Sequence, residues 1–88
     1  MDSATPIILK VSATEYKKVI VDASNGKRYY ADLSYLYKVF CFPKSEEEWK
    51  MVSQDSSGFA LIWSSRFEAH IDQVIGLATK VEDISKSA

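Results

Sequence analysis

The sequence is poor in the residues that form chemical sites. It has one cysteine, Cys41, and one histidine, His70. A zinc site needs three or four such ligands, so these two residues cannot form one. The three glycines stand far apart, at positions 26, 58 and 76, and match neither a phosphate-binding loop nor a dinucleotide fingerprint. We therefore expect no metal, no cofactor and no catalytic residues, and we expect that the protein is not an enzyme.

The scarcity of cysteine also bears on the cellular location of the protein. Cys41 cannot form an internal disulfide bond, and small extracellular domains commonly carry disulfides, so a reducing, intracellular location is favoured. Asp2 stands where a signal peptide carries basic residues. No apolar run approaches the roughly 20 residues that span a bilayer. The sequence predicts a cytoplasmic protein without a membrane segment.

The charges are nearly balanced. Eleven basic and 12 acidic residues give a net charge of −1, which argues against attraction of the whole domain to nucleic acid or anionic lipid. With 47% apolar and 26% charged residues in 88 positions, the composition is that of one globular domain. We divide the chain into a flexible lead over residues 1–6, a domain over residues 7–81 and a frayed tail over residues 82–88. Because so small a domain has little stability to spare, a homodimer is an alternative to a monomer.

The first third of the chain predicts antiparallel strands. Branched apolar residues predict one strand over residues 7–13 and another over residues 17–24. Asn25-Gly26 is typical of a two-residue type I′ turn, after which residues 27–32 would return. Such a turn pairs Val21 with Tyr30, whereas a three-residue loop would swap the two faces. The buried face of the hairpin therefore stays open.

The rest of the chain predicts helices and a buried strand. Asp32 can cap a short helical turn, and Ser45 with Glu48 fits a capping box that starts a helix over residues 46–53. The apolar run over residues 59–63 predicts a buried strand and is the first choice for the core. A second helix is predicted by five apolar residues at helical spacing, namely Ile71, Val74, Ile75, Ala78 and Val81.

Together these elements predict an α+β fold. A small antiparallel sheet of three to five strands, beginning as an N-terminal hairpin meander, would pack against two α-helices. Residues 64–69 are interpreted as a loop or a short edge strand.

Two local clusters invite a chemical interpretation. His70 is flanked by Glu68 and Asp72, and an imidazole beside a carboxylate is a familiar general base. Its position straddles a predicted strand–helix boundary, and Asp72 fits the first turn of a helix better. Cys41, between two phenylalanines, is interpreted as a structural cysteine. No catalytic role follows from either cluster.

Basic and aromatic residues alternate along the hairpin. Lys27-Arg28-Tyr29-Tyr30 could stack bases and neutralise phosphates, with Lys17 and Lys18 nearby. A nucleic-acid-binding regulatory domain is therefore the alternative function. Aromatic residues make up 12% of the chain, more than the predicted core needs, and tyrosines suit protein interfaces. The partner surface is predicted to include Lys27, Arg28, Tyr29, Tyr35, Tyr37, Arg66 and Phe67.

Several segments, taken in order, form a recognisable pattern. They are Ile8-Leu9-Lys10-Val11, Val19-Ile20-Val21, the Asn25-Gly26 turn, Tyr30-Ala31-Asp32-Leu33, a short helix with Trp49 and Val52, Ile62-Trp63 and Ile71-Asp72. Over roughly Ile7 to Ala78 this pattern resembles the bacterial family catalogued as domain of unknown function two-four-four-two. Members usually carry a proline and a glycine after the late tryptophan, where this chain has Ser64-Ser65-Arg66.

The resemblance implies a compact α+β fold and an accessory or regulatory role. Such domains are often encoded beside another short protein in toxin–antitoxin-like pairs. We therefore expect a non-catalytic protein-interaction or regulatory module, antitoxin-like, whose partner is another small protein.

Overall fold

The structure is a computed structural model that describes residues 6–38, 41–64 and 66–84. A four-stranded antiparallel sheet forms its larger part. Its strands are β1 (Ile8–Ala13), β2 (Lys18–Ala23), β3 (Lys27–Asp32) and β7 (Ala78–Asp83), in the order β1-β2-β3-β7. A 3-10 helix, Leu33–Leu36, follows β3 directly. The N-terminal meander is thus confirmed.

A second, smaller sheet packs at one end of the first. It contains β4 (Ser53–Gln54), β5 (Ala60–Ile62) and β6 (Glu68–His70), with β5 in the middle. Two helices complete the domain, α1 (Glu46–Trp49) and α2 (Ile71–Gly76). The predicted α+β class, with its antiparallel sheet and two helices, is confirmed, and β6 is the short edge strand expected before residue 70.

The hairpin turn between β2 and β3 has three residues, not two. Val21 pairs with Tyr29, so residues 24–26 form the loop. The amide of Gly26 donates to the carbonyl of Ala23 at 3.1 Å, and Gly26 takes a φ of 81°. A tight turn followed by a left-handed glycine is the usual three-residue hairpin, and Asn-Gly suits it as well as the two-residue turn. The longer loop puts Val19, Val21 and Tyr29 on the buried face.

The predicted second helix is wrong beyond residue 76. Leu77 ends α2 with non-helical angles, φ −102° and ψ 8°, and the chain then pairs with β3 as β7. This pairing satisfies the backbone groups of β3 that would otherwise form an open edge. The expected tail begins at residue 82, yet the strand continues to Asp83; residues 1–5 of the lead and residues 85–88 of the tail lie outside the described residues.

Helix α1 is a single turn, shorter than the predicted helix over residues 46–53. Its N-cap is confirmed, because the amide of Glu48 donates to Ser45 Oγ at 3.2 Å. The other half of the capping box is displaced by one residue, since the Glu48 carboxylate accepts from the amide of Lys44. Residues 53–54 leave the helix and pair with β5.

The core lies between the inner face of the large sheet and an aromatic cluster. Trp49, 1% exposed, stacks on Phe42 and on Trp63 with ring centroids 5.5 and 4.8 Å apart. Its indole nitrogen donates to the carbonyl of Lys18 in β2, and Trp63 in turn donates to the carbonyl of Trp49. These two bonds tie the small sheet and α1 to the large sheet.

The predicted core strand is confirmed for most of its length. Leu61 is fully buried and Trp63 is 4% exposed, whereas Phe59 is 41% exposed and is not a core residue. The strand begins only at Ala60, so Phe59 belongs to the preceding turn.

Candidate interaction surface

A lysine and two tyrosines meet where the β1–β2 turn approaches the 3-10 helix. Lys17 takes a left-handed φ of 74°, and its carbonyl accepts a bond from the amide of Leu33 at 2.7 Å. Its ammonium lies 3.9 Å from the ring centroid of Tyr37 and 5.1 Å from that of Tyr16. A cation this close to an aromatic face is attracted by the ring quadrupole, so Lys17 stabilises Tyr37 in this position.

The 3-10 helix explains why Tyr35 faces solvent. Asp32 caps this helix by accepting from the amide of Ser34 at 3.0 Å, as the sequence predicts. Residues three apart share a face of a 3-10 helix, so Leu33, fully buried, and Leu36, partly buried, both turn inward. Tyr35 lies off that face and is 84% exposed.

Tyr37 is anchored as well as exposed. Its side chain is 51% exposed, and its ring meets Phe42 edge-on with centroids 5.7 Å apart. Phe42 is itself a core residue, 3% exposed. We call Lys17, Tyr35 and Tyr37 the tyrosine surface.

Tyr16 connects the turn that carries Lys17 to the core. Its hydroxyl donates to the carbonyl of Pro43 at 2.8 Å, and its ring meets Trp49 edge-on. Desolvation, together with the nearby Tyr37 and Glu48, raises the pKa of the Tyr16 hydroxyl. Tyr16 therefore stays neutral and serves as a fixed donor that joins the turn to the loop before α1.

The outer face of the large sheet is a ladder of alternating charges. Residues opposite one another across the strands are Lys10, Asp22, Arg28 and Glu82. Arg28 Nε lies 2.7 Å from Asp22 Oδ1, and the Tyr30 hydroxyl donates to Glu82 Oε1 at 2.7 Å. The bond from Arg28 holds the pKa of the Asp22 carboxyl below its ordinary value, and the bond from Tyr30 does the same for Glu82.

The seven residues predicted for the partner surface do not form one patch. Tyr29 and Phe67 are core residues, 6% and 3% exposed, because Tyr29 lies on the inner face of β3 and Phe67 packs on Phe42 and Trp63. Lys27 and Arg28 lie at the other end of β3 from the 3-10 helix. Tyr35 lies in the 3-10 helix and Tyr37 directly after it, and Arg66 is exposed in the turn before β6, with a φ of 73°.

The hairpin presents only part of the basic-aromatic set on its outer face, namely Arg28 and Tyr30. Tyr29 points inward, and Arg28 is held by Asp22. A phosphate backbone on the outer face would meet Asp22 and Glu82, whose carboxyl groups are ionised at neutral pH and have lowered pKa values. The geometry therefore gives this alternative no specific support.

The other residues considered for chemistry are dispersed. His70 is exposed at the start of α2, where its amide donates to the side chain of Gln73 at 3.0 Å. Cys41 is partly buried. Within residues 6–38, 41–64 and 66–84, no group of three or more histidine, cysteine or acidic side chains could hold a metal ion. In the same ranges, no helix has the length and apolarity needed to cross a membrane.

Sequence reasoning missed Lys17 as part of the surface. The sequence predicts Lys17 at the start of a strand, as a basic neighbour of the hairpin, but the residue lies in the turn before β2. Its left-handed backbone leaves no mark in the sequence, because a non-glycine residue adopts this conformation only where its surroundings enforce it.

Comparisons of the chain with protein-family models, with curated proteins and with solved structures find no match. The family resemblance therefore stays a prediction from the sequence. The tyrosine surface and the outer face of the large sheet are the features from which a function can be inferred.

Proposed function

We propose that the protein is a non-catalytic interaction module that binds a partner protein through the tyrosine surface. The observation that carries this proposal is the exposure of two aromatic side chains that lie two residues apart in the chain, Tyr35 at 84% and Tyr37 at 51%. Tyrosine is enriched at protein interfaces, where its ring buries apolar area and its hydroxyl still finds a hydrogen-bond partner. Residues of this type also dominate the energy of many interfaces.

The surroundings of Tyr37 favour binding because they hold the ring in place before the partner arrives. Lys17 lies over one face of the ring, and the ring edge meets the buried Phe42. A side chain already fixed in its bound position loses little conformational entropy on association. Tyr35 has no such anchor among the described ring contacts and can adapt to the partner.

The identity of the partner is a finer proposal. The resemblance to the bacterial family suggests a second small protein encoded nearby, with this chain as the antitoxin-like member of the pair. A cytoplasmic location fits that role and fits the single, partly buried Cys41.

Alanine at the two tyrosines should weaken binding of the partner. We expect a tagged wild-type protein to retain one small protein in equal amount from its native host. Tyr35→Ala with Tyr37→Ala should weaken that binding by about 30-fold or more, because each truncation removes an interface anchor. The measurement is the affinity of the purified partner for each variant, determined by calorimetry.

Met51→Ala is the matched control. Met51 is 63% exposed and lies in the turn after α1, outside the tyrosine surface, so its replacement should leave the affinity unchanged. Circular dichroism would confirm that all variants fold. Equal affinities of the wild type and the double alanine variant would contradict the proposed function.

A further inference from the structure

Strand β7 is an edge strand of the large sheet. The order β1-β2-β3-β7 puts β1 and β7 at the two edges. The start of β1 is covered, because the Gln54 amide donates to the carbonyls of Ile8 and Leu9. In the part of the chain that the structure describes, no strand lies on the outer side of β7. Such an edge is a template for pairing with another strand.

The backbone of Val81 is directed outward. The amide of Ile84 donates to the carbonyl of Gly26 in the hairpin loop, and Glu82 lies opposite Arg28. In an antiparallel ladder the bonded residues alternate along the strand. Glu82 therefore bonds to β3, while the N–H and C=O of Val81 point away from it.

The side chain of Val81 is also incompletely buried. It lies opposite Tyr29 on the inner face of the sheet, yet it is 50% exposed. Helix α2 packs against β3 and β6. A valine from a second chain, placed beside it, would remove apolar area of both from water.

The charges on the outer face favour one register for the pairing of β7 with a second β7. Lys80 and Glu82 both lie on that face, opposite Tyr30 and Arg28. In a two-fold antiparallel pairing of β7 with a second β7, the central residue lies opposite its own copy. Three central registers bring the outward-directed backbone groups of the two strands opposite one another. They are centred on residue 80, 81 or 82. The first sets Lys80 against Lys80, and the last sets Glu82 against Glu82. The pairing centred on Val81 sets Lys80 against Glu82 of the second copy, twice, and continues the alternating ladder.

We propose that β7 is a dimerisation edge at which two copies of this chain pair antiparallel about Val81. The two Val81 residues exchange both backbone hydrogen bonds across the two-fold axis, and the two large sheets become one sheet of eight strands. This interface uses none of the residues of the tyrosine surface, so it stands or falls separately from the proposed function.

Charge-reversed variants test the pairing directly. Analytical ultracentrifugation should show a concentration-dependent dimer for the wild type. Lys80→Glu or Glu82→Lys alone should raise the dissociation constant about tenfold, because each puts like charges opposite one another twice. An equal mixture of the two variants should form a heterodimer of wild-type affinity, since both pairs that face each other across the interface are then opposite in charge.

A proline at the centre gives a second test that does not depend on charge. Val81→Pro removes an N–H that does not bond to β3, so the monomer should fold while the dimer is lost. Tyr35→Ala is the control and should dimerise as the wild type does. A wild type that stays monomeric at all concentrations, or a Val81→Pro variant that dimerises normally, would overturn the proposal.

Discussion

Replacing Trp49 with alanine is expected to lower the free energy of unfolding by about 3–5 kcal/mol, the usual range for a buried tryptophan. The indole is 1% exposed, stacks on Phe42 and Trp63, and donates to the carbonyl of Lys18 at 2.9 Å. Alanine would remove these contacts and leave the amide of Thr14 as the remaining donor to that carbonyl. A domain of 88 residues has roughly 4–13 kcal/mol of stability in all, so the loss is a large share.

Urea unfolding followed by circular dichroism would measure the change. Trp49→Phe is the matched control, because it keeps an aromatic ring in the stack and loses the indole donor, at a cost of about 1–3 kcal/mol. If Trp49→Ala were no more harmful than Trp49→Phe, the stacking of the Trp49 ring on Phe42 and Trp63 would contribute nothing to stability.

Alanine at Leu61 should cost about 2–5 kcal/mol, the second large effect. Leu61 is fully buried in the middle strand of the small sheet, where no neighbouring side chain can move aside without disturbing the core. The next residue, Ile62, is only partly buried, so Ile62→Ala should cost about 1 kcal/mol.

The pair of variants tests which face of β5 is the core. Thermal unfolding of both, under the same conditions, gives the comparison. An equal loss from the two substitutions would mean that the strand is buried on both faces, as its continuous apolar sequence suggests.

The sequence predicted the elements whose signals are local. The strands of the hairpin follow from branched residues, and the cap at Asp32 follows from a side chain that can accept a backbone amide. The loop length did not follow, because Asn25-Gly26 serves a two-residue and a three-residue turn alike. Only the packing of Tyr29 on the inner face decides between them.

The strand β7 shows why long-range pairing escaped prediction. Ile71, Val74 and Ile75 have helical spacing, and Val81 continues that spacing by coincidence. The segment from Ala78 becomes a strand because β3, distant in sequence, offers an unpaired edge. Periodicity within a segment cannot report such a partner.

The candidate surface was predicted in part for a similar reason. Tyr35 and Tyr37 stood out as aromatic residues beyond the needs of the core, and both are exposed. Tyr29 and Phe67 belong to the same surplus of aromatic residues but are buried in the core. Their burial depends on which face of the strand Tyr29 occupies and on how the loop that carries Phe67 packs. Lys17 joins the surface through a backbone conformation that the sequence does not mark.

Hydroxyl-radical footprinting would test the central claim most directly, by comparing the purified protein with the protein in extract of its native host. Oxidation of Tyr35 and Tyr37 should fall sharply in the extract, while oxidation of Met51, 63% exposed on another part of the chain, should stay the same. That result would mean that a partner covers the tyrosine surface. Equal oxidation of the two tyrosines in both samples would contradict the account.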